Sequence, residues 1–156
     1  MRLSLLRAPT YPDPMADKGY HKFKYAIYQH KGDFRMGQVF RKGFEFNEPF
    51  VVIRAKKHSG DLPKSFSFIS VEPQSVILNS IKVSEDFDNA LILRIYEIDG
   101  KAASVQIKTP YEIFKVEEVN LIEDKISNLS ASGKSFRFEI SANEIRTFRI
   151  QLNKSY

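Results

Sequence analysis

Residues 90–109, ALILRIYEIDGKAASVQIKT, decide the predicted fold class. Residues 90–98 form the most apolar strand-like run of the chain, which predicts a strand at the centre of a sheet. The pair Asp99-Gly100 is typical of a two-residue hairpin turn. We therefore expect residues 101–109 to return as a strand beside the first one.

Similar strand-like runs recur about every ten residues on both sides of this unit, and turn-forming residues separate them. We predict further strands at residues 2–7, 21–30, 49–56, 65–71, 75–84, 111–122, 135–141 and 144–152. Residues 123–134 and the proline-rich stretch between the first two strands are expected to be loops, because proline lacks a ladder donor. The pattern predicts an all-β fold, a single β-sandwich domain of mostly antiparallel short strands over residues 1–156.

Residues 33–46 change from a strand period to a helical one. Apolar and small residues fall at helical spacing at Met36, Val39, Phe40, Gly43 and Phe44. Asp33 suits the N-cap and Asn47 suits the left-handed position after the last turn. We therefore expect one short helix near residues 33–46, although Gly37 and Gly43 weaken the pattern.

Charge and composition limit the classes of partner. The net charge is +5, which favours polyanions, yet 24 basic residues are interleaved with 19 acidic ones. The longest basic cluster is only Arg54–His58. A mixed-charge surface is therefore the preferred interpretation, and nucleic-acid binding is a minor alternative. We expect no membrane contact, because no apolar run approaches the ~20 residues of a bilayer span.

Two features bear on location. The first residues show no sustained apolar segment of the kind that a signal peptide needs. Cysteine is absent, so the chain has no disulfide framework and no thiolate chemistry. We expect a cytoplasmic location.

The sequence offers little catalytic chemistry of its own. No HExxH or CxxC spacing accompanies the three histidines, and Asp17 and His21 lie across a predicted loop-to-strand boundary, so we predict no metal site. No GxSxG elbow is present. Asp13 and Asp17 could form a glycosidase-type carboxylate pair, but Asp and Pro are also ordinary loop formers. We therefore assign no catalytic residue.

A family resemblance begins in the segment LLRAPTYPDPMADKGYHKFKYAIYQHKGDF, residues 5–34. It resembles the C-terminal β region of glycoside hydrolase family 38, the α-mannosidases, gap-free at Leu5, Leu6, Arg7, Pro12, Asp13, Asp17, Gly19, His21, Phe23, Tyr25, Ala26, His30, Gly32, Asp33 and Phe34. Segments 44–50, 65–86, 90–107 and 142–150 resemble later parts of that region in the same order. The resemblance covers nearly the whole chain.

The resemblance implies a function that depends on a second domain. Family members perform retaining, zinc-dependent hydrolysis of α-mannosides in glycan catabolism, with zinc ligands, nucleophile and acid/base carboxylate all in an N-terminal catalytic domain. This chain resembles only the C-terminal part, either as a piece of a longer chain or as a split-gene product. We therefore expect it to pack on the catalytic domain of the same α-mannosidase, to hold no zinc, and to be inactive alone.

The loop between the first two predicted strands is the candidate site. Arg7 could form a bidentate contact with a carboxylate or a hydroxyl pair, Asp13 and Asp17 could accept sugar hydroxyls, and Tyr11 or Tyr20 could stack on a pyranose face. These residues and His21 are candidates for contact with the substrate rim or for docking between domains. The alternative is that they brace the loop. A stand-alone carbohydrate-binding module is a second functional hypothesis.

Overall fold

The structure, a computed structural model, describes residues 2–87 and 89–153. The chain divides into two compact units, Met1–Val39 and Phe40–Tyr156. The first unit is built from turns and irregular segments. The second contains the strands.

The second unit is a β-sandwich of antiparallel strands, which confirms the predicted fold class. The described residues form nine strands: β1 (Ser70–Glu72), β2 (Val76–Val83), β3 (Ala90–Glu97), β4 (Ala103–Lys108), β5 (Ile113–Val119), β6 (Lys125–Leu129), β7 (Ala131–Ser132), β8 (Ser135–Ile140) and β9 (Ile145–Leu152). One sheet has the order β1-β4-β8-β7 and the other the order β2-β3-β9-β5-β6.

The core lies between the two sheets and contains apolar side chains from both. The four-stranded sheet contributes Val105, Ile107, Phe136, Phe138 and Ile140, and the five-stranded sheet contributes Val76, Leu93, Ile95, Val116, Phe148 and Ile150. Phe148 is fully buried, and its ring centroid lies 4.4 Å from that of Phe138 and 5.4 Å from that of Phe136. Phe136 and Phe138 belong to one sheet and Phe148 to the other, so this aromatic cluster joins the two sheets. Burial of each side chain of this size stabilises the fold by about 1.5–3 kcal/mol.

The predicted hairpin at Asp99-Gly100 is wrong. β3 pairs with β2 and β9, whereas β4 pairs with β1 and β8, so this turn carries the chain from one sheet to the other. Both edges of β3 are occupied, which leaves β4 no edge of β3 to pair with. β3 is accordingly an interior strand, although β9 takes the middle position of its sheet.

The predicted strands at 2–7, 21–30 and 49–56 are absent from the described residues, and only Ser70–Glu72 remains of the one at 65–71. Alternation shows that a segment can form a strand, but a strand also needs a neighbour for its backbone groups. Conversely, the predicted loop 123–134 contains β6 and β7. β6 is an edge strand with one neighbour, and such strands tolerate polar sequences like KISNL.

The helix α1 spans Val39–Asn47 and begins six residues after the predicted N-cap at Asp33. Asp33 instead caps a preceding turn: its Oδ1 accepts hydrogen bonds from the backbone N–H of Arg35 (3.1 Å) and Met36 (3.0 Å). Gln38 interrupts the helical path with φ +49°, which is the physical reason for the late start. Asn47 is the last helical residue rather than a left-handed cap, and its Nδ2 donates to the Gly43 carbonyl at 2.9 Å.

Within the second unit, α1 is attached to the start of the sandwich by Arg41. The Arg41 guanidinium donates to the carbonyl of Gln74 (2.8 Å from Nη2) and to that of Val76 (3.2 Å). The Phe40 ring meets Tyr96 edge-on with the centroids 5.9 Å apart. The helix therefore has both a polar and an aromatic contact with the strand region.

Candidate functional site

The candidate loop of residues 7–21 is held by a turn that starts at Asp13. The Asp13 carboxylate accepts a hydrogen bond from the backbone N–H of Met15 at 2.8 Å, and its carbonyl accepts one from Ala16 at 3.2 Å. An aspartate in this arrangement imitates a backbone turn with its side chain. Asp13 therefore braces the loop, and one of its carboxylate oxygens is engaged in doing so.

Asp17 and His21 are the two candidate residues that contact each other. The backbone carbonyl of Asp17 accepts a hydrogen bond from His21 Nε2 at 2.8 Å, because a carbonyl oxygen can only accept. The His21 ring also stacks on Phe23 with the centroids 5.9 Å apart. Asp17 adopts φ +58°, a left-handed conformation that Asp tolerates. The contact thus uses the main chain of Asp17 and leaves its carboxylate exposed.

The remaining candidates are exposed. Tyr11 and Tyr20 are 87% and 92% accessible to solvent, and Arg7 is also exposed. None of the three forms a hydrogen bond with a described residue. Of the six candidates, Asp13 and His21 have internal structural contacts, whereas Arg7, Tyr11 and Tyr20 present their side chains to solvent.

Within residues 2–87 and 89–153, no three His, Asp or Glu side chains come close enough together to hold an ion. The described residues therefore do not fit a zinc site. Over the same residues, no helix is sufficiently long and apolar to cross a bilayer.

A buried charged pair that the sequence patterns do not reveal lies on the outer face of the five-stranded sheet. Arg149 of β9 lies opposite Glu117 of β5, and its Nε and Nη2 lie 3.1 and 3.0 Å from Glu117 Oε2. Lys115 and Lys125 contact the other carboxylate oxygen at 2.9 and 3.1 Å. Burial alone would raise the pKa of Glu117, but hydrogen bonds from its three cationic partners outweigh it and lower the pKa to about 2.

A second buried carboxylate, that of Glu123, ties two loops together on the same face. Glu123 Oε2 accepts hydrogen bonds from the Ser84 hydroxyl (2.7 Å) and the Glu85 backbone N–H (3.0 Å), and Lys82 Nζ lies 2.6 Å from Oε1. Burial opposes ionisation, but these contacts dominate and lower the pKa of Glu123 to about 2. The Glu123 carbonyl accepts from Arg149 Nη1 at 3.1 Å, which joins the two clusters.

These buried charges have a structural role. Each carboxylate is ionised and surrounded by donors, so neither can accept a proton near neutral pH as a general base would. The only sequence signal was an acidic pair at 117–118 within an alternating strand. A strand pattern cannot show that an outward-facing position is covered by loops.

Large exposed apolar side chains are concentrated in the N-terminal part of the described chain. Between residues 2 and 68 they include Leu3, Tyr11, Met15, Tyr20, Tyr25, Ile27, Met36, Phe50, Val51, Val52, Ile53 and Leu62, each more than 60% exposed. Residues 76–150 contain every buried apolar side chain of the core. The large exposed apolar side chains and the buried core thus lie in different parts of the sequence.

Comparison with known proteins agrees with the resemblance seen in the sequence. Residues 75–148 match the family described as "Glycosyl hydrolases family 38 C-terminal beta sandwich domain". The chain is 31% identical to Alpha-mannosidase G of Dictyostelium discoideum, with 97% of this chain and 14% of the relative aligned. It is 31% identical to Alpha-mannosidase 2C1 of Mus musculus (97% and 15%) and 33% identical to Alpha-mannosidase of Saccharomyces cerevisiae (81% and 13%).

The chain thus spans about one seventh of the length of these relatives. The matched residues 75–148 coincide with most of the sandwich, from the start of β2 into β9. The predicted resemblance is confirmed: this chain belongs to glycoside hydrolase family 38, as a C-terminal β-sandwich domain.

Proposed function

We propose that this chain is the C-terminal part of a family 38 α-mannosidase and that it packs against the catalytic domain of that enzyme. The catalytic domain would perform the retaining, zinc-dependent hydrolysis of α-mannosides. The single observation that carries the proposal is the contrast between a sandwich with a complete core and a region, residues 2–68, whose large apolar side chains face solvent.

The proposal assigns the chemistry to the other domain. In the described residues no set of ligands fits zinc. The carboxylates of Glu117 and Glu123, whose pKa values are lowered the most, form internal ion pairs. The chain supplies apolar contact surface and a positioned loop. We expect no mannoside hydrolysis by the isolated chain. The lack of cysteine is compatible with a reducing compartment, so a cytoplasmic location is part of the proposal.

The loop of residues 7–21 is proposed to border the substrate site in the assembled enzyme. The internal turn at Asp13 and the contact between Asp17 and His21 stiffen the loop, which lowers the entropy cost of holding its exposed side chains in place. Tyr11 and Tyr20 have the free ring faces that stacking on a sugar requires.

The docking proposal is tested by expressing the chain alone, the catalytic part alone, and both together. We expect the two parts to co-purify and the isolated chain to release no 4-nitrophenol from 4-nitrophenyl α-mannoside. Separate elution at micromolar concentration, or turnover by the isolated chain, would contradict the proposal.

The loop is tested in the assembled enzyme with Tyr11→Ala and Tyr20→Ala, because stacking contacts are worth about 0.5–1.5 kcal/mol each. A rise of several-fold in KM with unchanged complex stability supports contact with substrate. Tyr111→Ala, an aromatic of the sandwich that is 38% exposed, is the matched control. Mannose-dependent NMR shifts of the isolated chain would instead favour a stand-alone carbohydrate-binding module.

A further inference from the structure

Residues 50–53, Phe-Val-Val-Ile, form a run of four apolar side chains that are 94%, 89%, 87% and 82% exposed. No backbone group of residues 49–56 forms a hydrogen bond with any described residue. The run is therefore open along its backbone and on both of its faces. We call residues 50–54 the open strand segment.

The same chain shows what such a run requires when it is buried. β3 is likewise apolar on both faces, and Ile92 and Leu93, which point to opposite faces, are 1% and 0% exposed. β3 has a neighbouring strand on each side, and its Leu93 and Ile95 face the core between the sheets. Continuous apolar runs are typical of strands buried on both faces, whereas surface strands alternate.

The ends of the segment also match a strand. Pro49 precedes it, and proline is tolerated at the first residue of a strand because the missing donor falls outside the ladder. Arg54, Lys56 and Lys57 follow, and all three are exposed with no ion pair to a described residue. The apolar run therefore ends in a basic stretch, which favours an acidic neighbour.

The length of the relatives indicates what covers the segment. The alignment to Alpha-mannosidase G runs through 97% of this chain, so the open strand segment lies within a region that the longer protein shares. The same alignment covers only 14% of that relative, which leaves a large remainder to supply strands and apolar layers. A gap between two strand edges, with apolar cover on both faces and acidic residues at one end, has the complementary chemistry.

We propose that residues 50–54 form an interior β-strand of the assembled enzyme by pairing with strands of the remaining polypeptide of the same α-mannosidase. This inference rests on the proposed docking function and adds its mode: main-chain pairing by a defined segment, with the basic stretch 54–57 against an acidic border. The sandwich itself need not change, because the segment contributes no ladder to it.

The main test is amide hydrogen exchange in the isolated chain and in the intact α-mannosidase that contains it. We expect residues 50–54 to exchange freely in the isolated chain and at least about 100-fold more slowly in the intact enzyme, as in a paired strand. Equal exchange in both would overturn the inference while leaving docking by other surfaces intact. Failure of the two parts to associate would overturn both.

Two proline variants separate pairing from apolar contact. Val51→Pro and Val52→Pro remove adjacent backbone donors that point to opposite sides, so an interior strand should lose at least about 10-fold in affinity for the catalytic part with either. Ser59→Pro, in the exposed stretch that follows, is the control and should bind normally. Wild-type affinity for both variants would refute strand pairing.

Two further measurements test whether misfolding explains a loss of affinity and whether a second copy of the chain protects the segment. The isolated Val52→Pro chain should keep the wild-type circular dichroism and melting temperature, because the segment has no hydrogen bonds to lose. Loss of folding would show that the segment belongs to the fold of this chain. Sedimentation of the isolated chain should give a monomer with an unprotected segment; a dimer that protects residues 50–54 would identify a second copy as the occupant.

Discussion

Arg149 and Glu117 face each other across adjacent strands β9 and β5, and both side chains are almost completely buried on the outer face of the sheet. Two guanidinium nitrogens of Arg149 reach the same carboxylate oxygen at 3.0 and 3.1 Å. The Phe87 ring covers the guanidinium at 4.2 Å from its centroid. The pair therefore lies beneath a loop rather than in open solvent, where an ion pair would contribute little.

Truncation of one partner should be costly. Arg149→Met leaves Glu117 buried with only its two lysine contacts, and we expect a loss of about 3 kcal/mol in the free energy of unfolding. The double variant Arg149→Met, Glu117→Leu should recover part of that loss, because no buried carboxylate then remains and the two lysines are half-exposed to solvent. Urea denaturation of the four proteins in this cycle measures the coupling, and additive effects would contradict it.

Glu97 should be a second sensitive position, because its carboxylate holds two turns at once. It accepts hydrogen bonds from the backbone N–H of Asp99 (2.7 Å), Gly100 (2.9 Å), Lys101 (3.3 Å) and, in the turn before β9, Asn143 (3.0 Å). Burial would raise the pKa of Glu97, but these four donors outweigh it and the pKa lies below its usual value.

Glu97→Gln replaces an acceptor oxygen with an NH₂ group that faces backbone donors. We expect a loss of about 2–4 kcal/mol in the free energy of unfolding, measured with urea. Glu139→Gln, an exposed glutamate of β8, is the control and should change stability by less than about 0.5 kcal/mol. Equal effects of the two substitutions would show that the turn does not depend on the Glu97 charge.

Acid should destabilise the sandwich between pH 4.5 and 2. The pKa values of Glu117 and Glu123 are lowered from 4.5 to about 2 in the folded chain, so unfolding takes up protons in this interval. The stabilisation is complete above pH 4.5 and is lost as the pH falls through the folded pKa values. Urea titrations at several pH values should therefore show stability declining across this window.

The matched variant for the pH profile is Glu117→Gln, Glu123→Gln. It will be less stable overall, so the slopes are compared rather than the absolute values. We expect a shallower decline below pH 4.5 than in the wild type, because two acid-sensitive groups are gone. If stability declined equally steeply with falling pH in the variant and in the wild type, other carboxylates would be the cause of the acid sensitivity.

The attachment of α1 depends on Arg41. Arg41→Ala removes the hydrogen bonds to the carbonyls of Gln74 and Val76, and we expect a loss of about 1–2 kcal/mol together with faster amide exchange at residues 43–48. Lys42→Ala is the control, because the exposed pair of Lys42 and Glu45 contributes about 0.5 kcal/mol at most. Unchanged amide exchange in Arg41→Ala would show that the contact between Phe40 and Tyr96 is enough to hold α1 in place.

Much of the sandwich could be predicted from strand periodicity. Residues 75–84, 111–122, 135–141 and 144–152 were predicted as strands and contain β2, β5, β8 and β9. The prediction failed where strand formation depends on a neighbour: residues 49–56 have the composition of a strand and no pairing partner among the described residues. It also failed at Asp99-Gly100, because a hairpin-like dipeptide does not show which strand edges are already occupied.

The six candidate loop residues show a similar limit. Composition could indicate a stiff loop with exposed aromatics, and the structure adds that Asp13 and His21 have internal hydrogen bonds. Arg7, Tyr11 and Tyr20 form no hydrogen bond with a described residue, so their function stays a prediction.

The sequence by itself determined the all-β class, the family and most strand positions, because alternation and local motifs are properties of neighbouring residues. Only the tertiary structure decided which strands share a sheet, that Glu97 joins two turns, and that Glu117, Glu123 and Arg149 are buried. The reason is that pairing and burial depend on groups far apart in the chain. Glu117 and Arg149 are 32 residues apart, and no local pattern records that they meet.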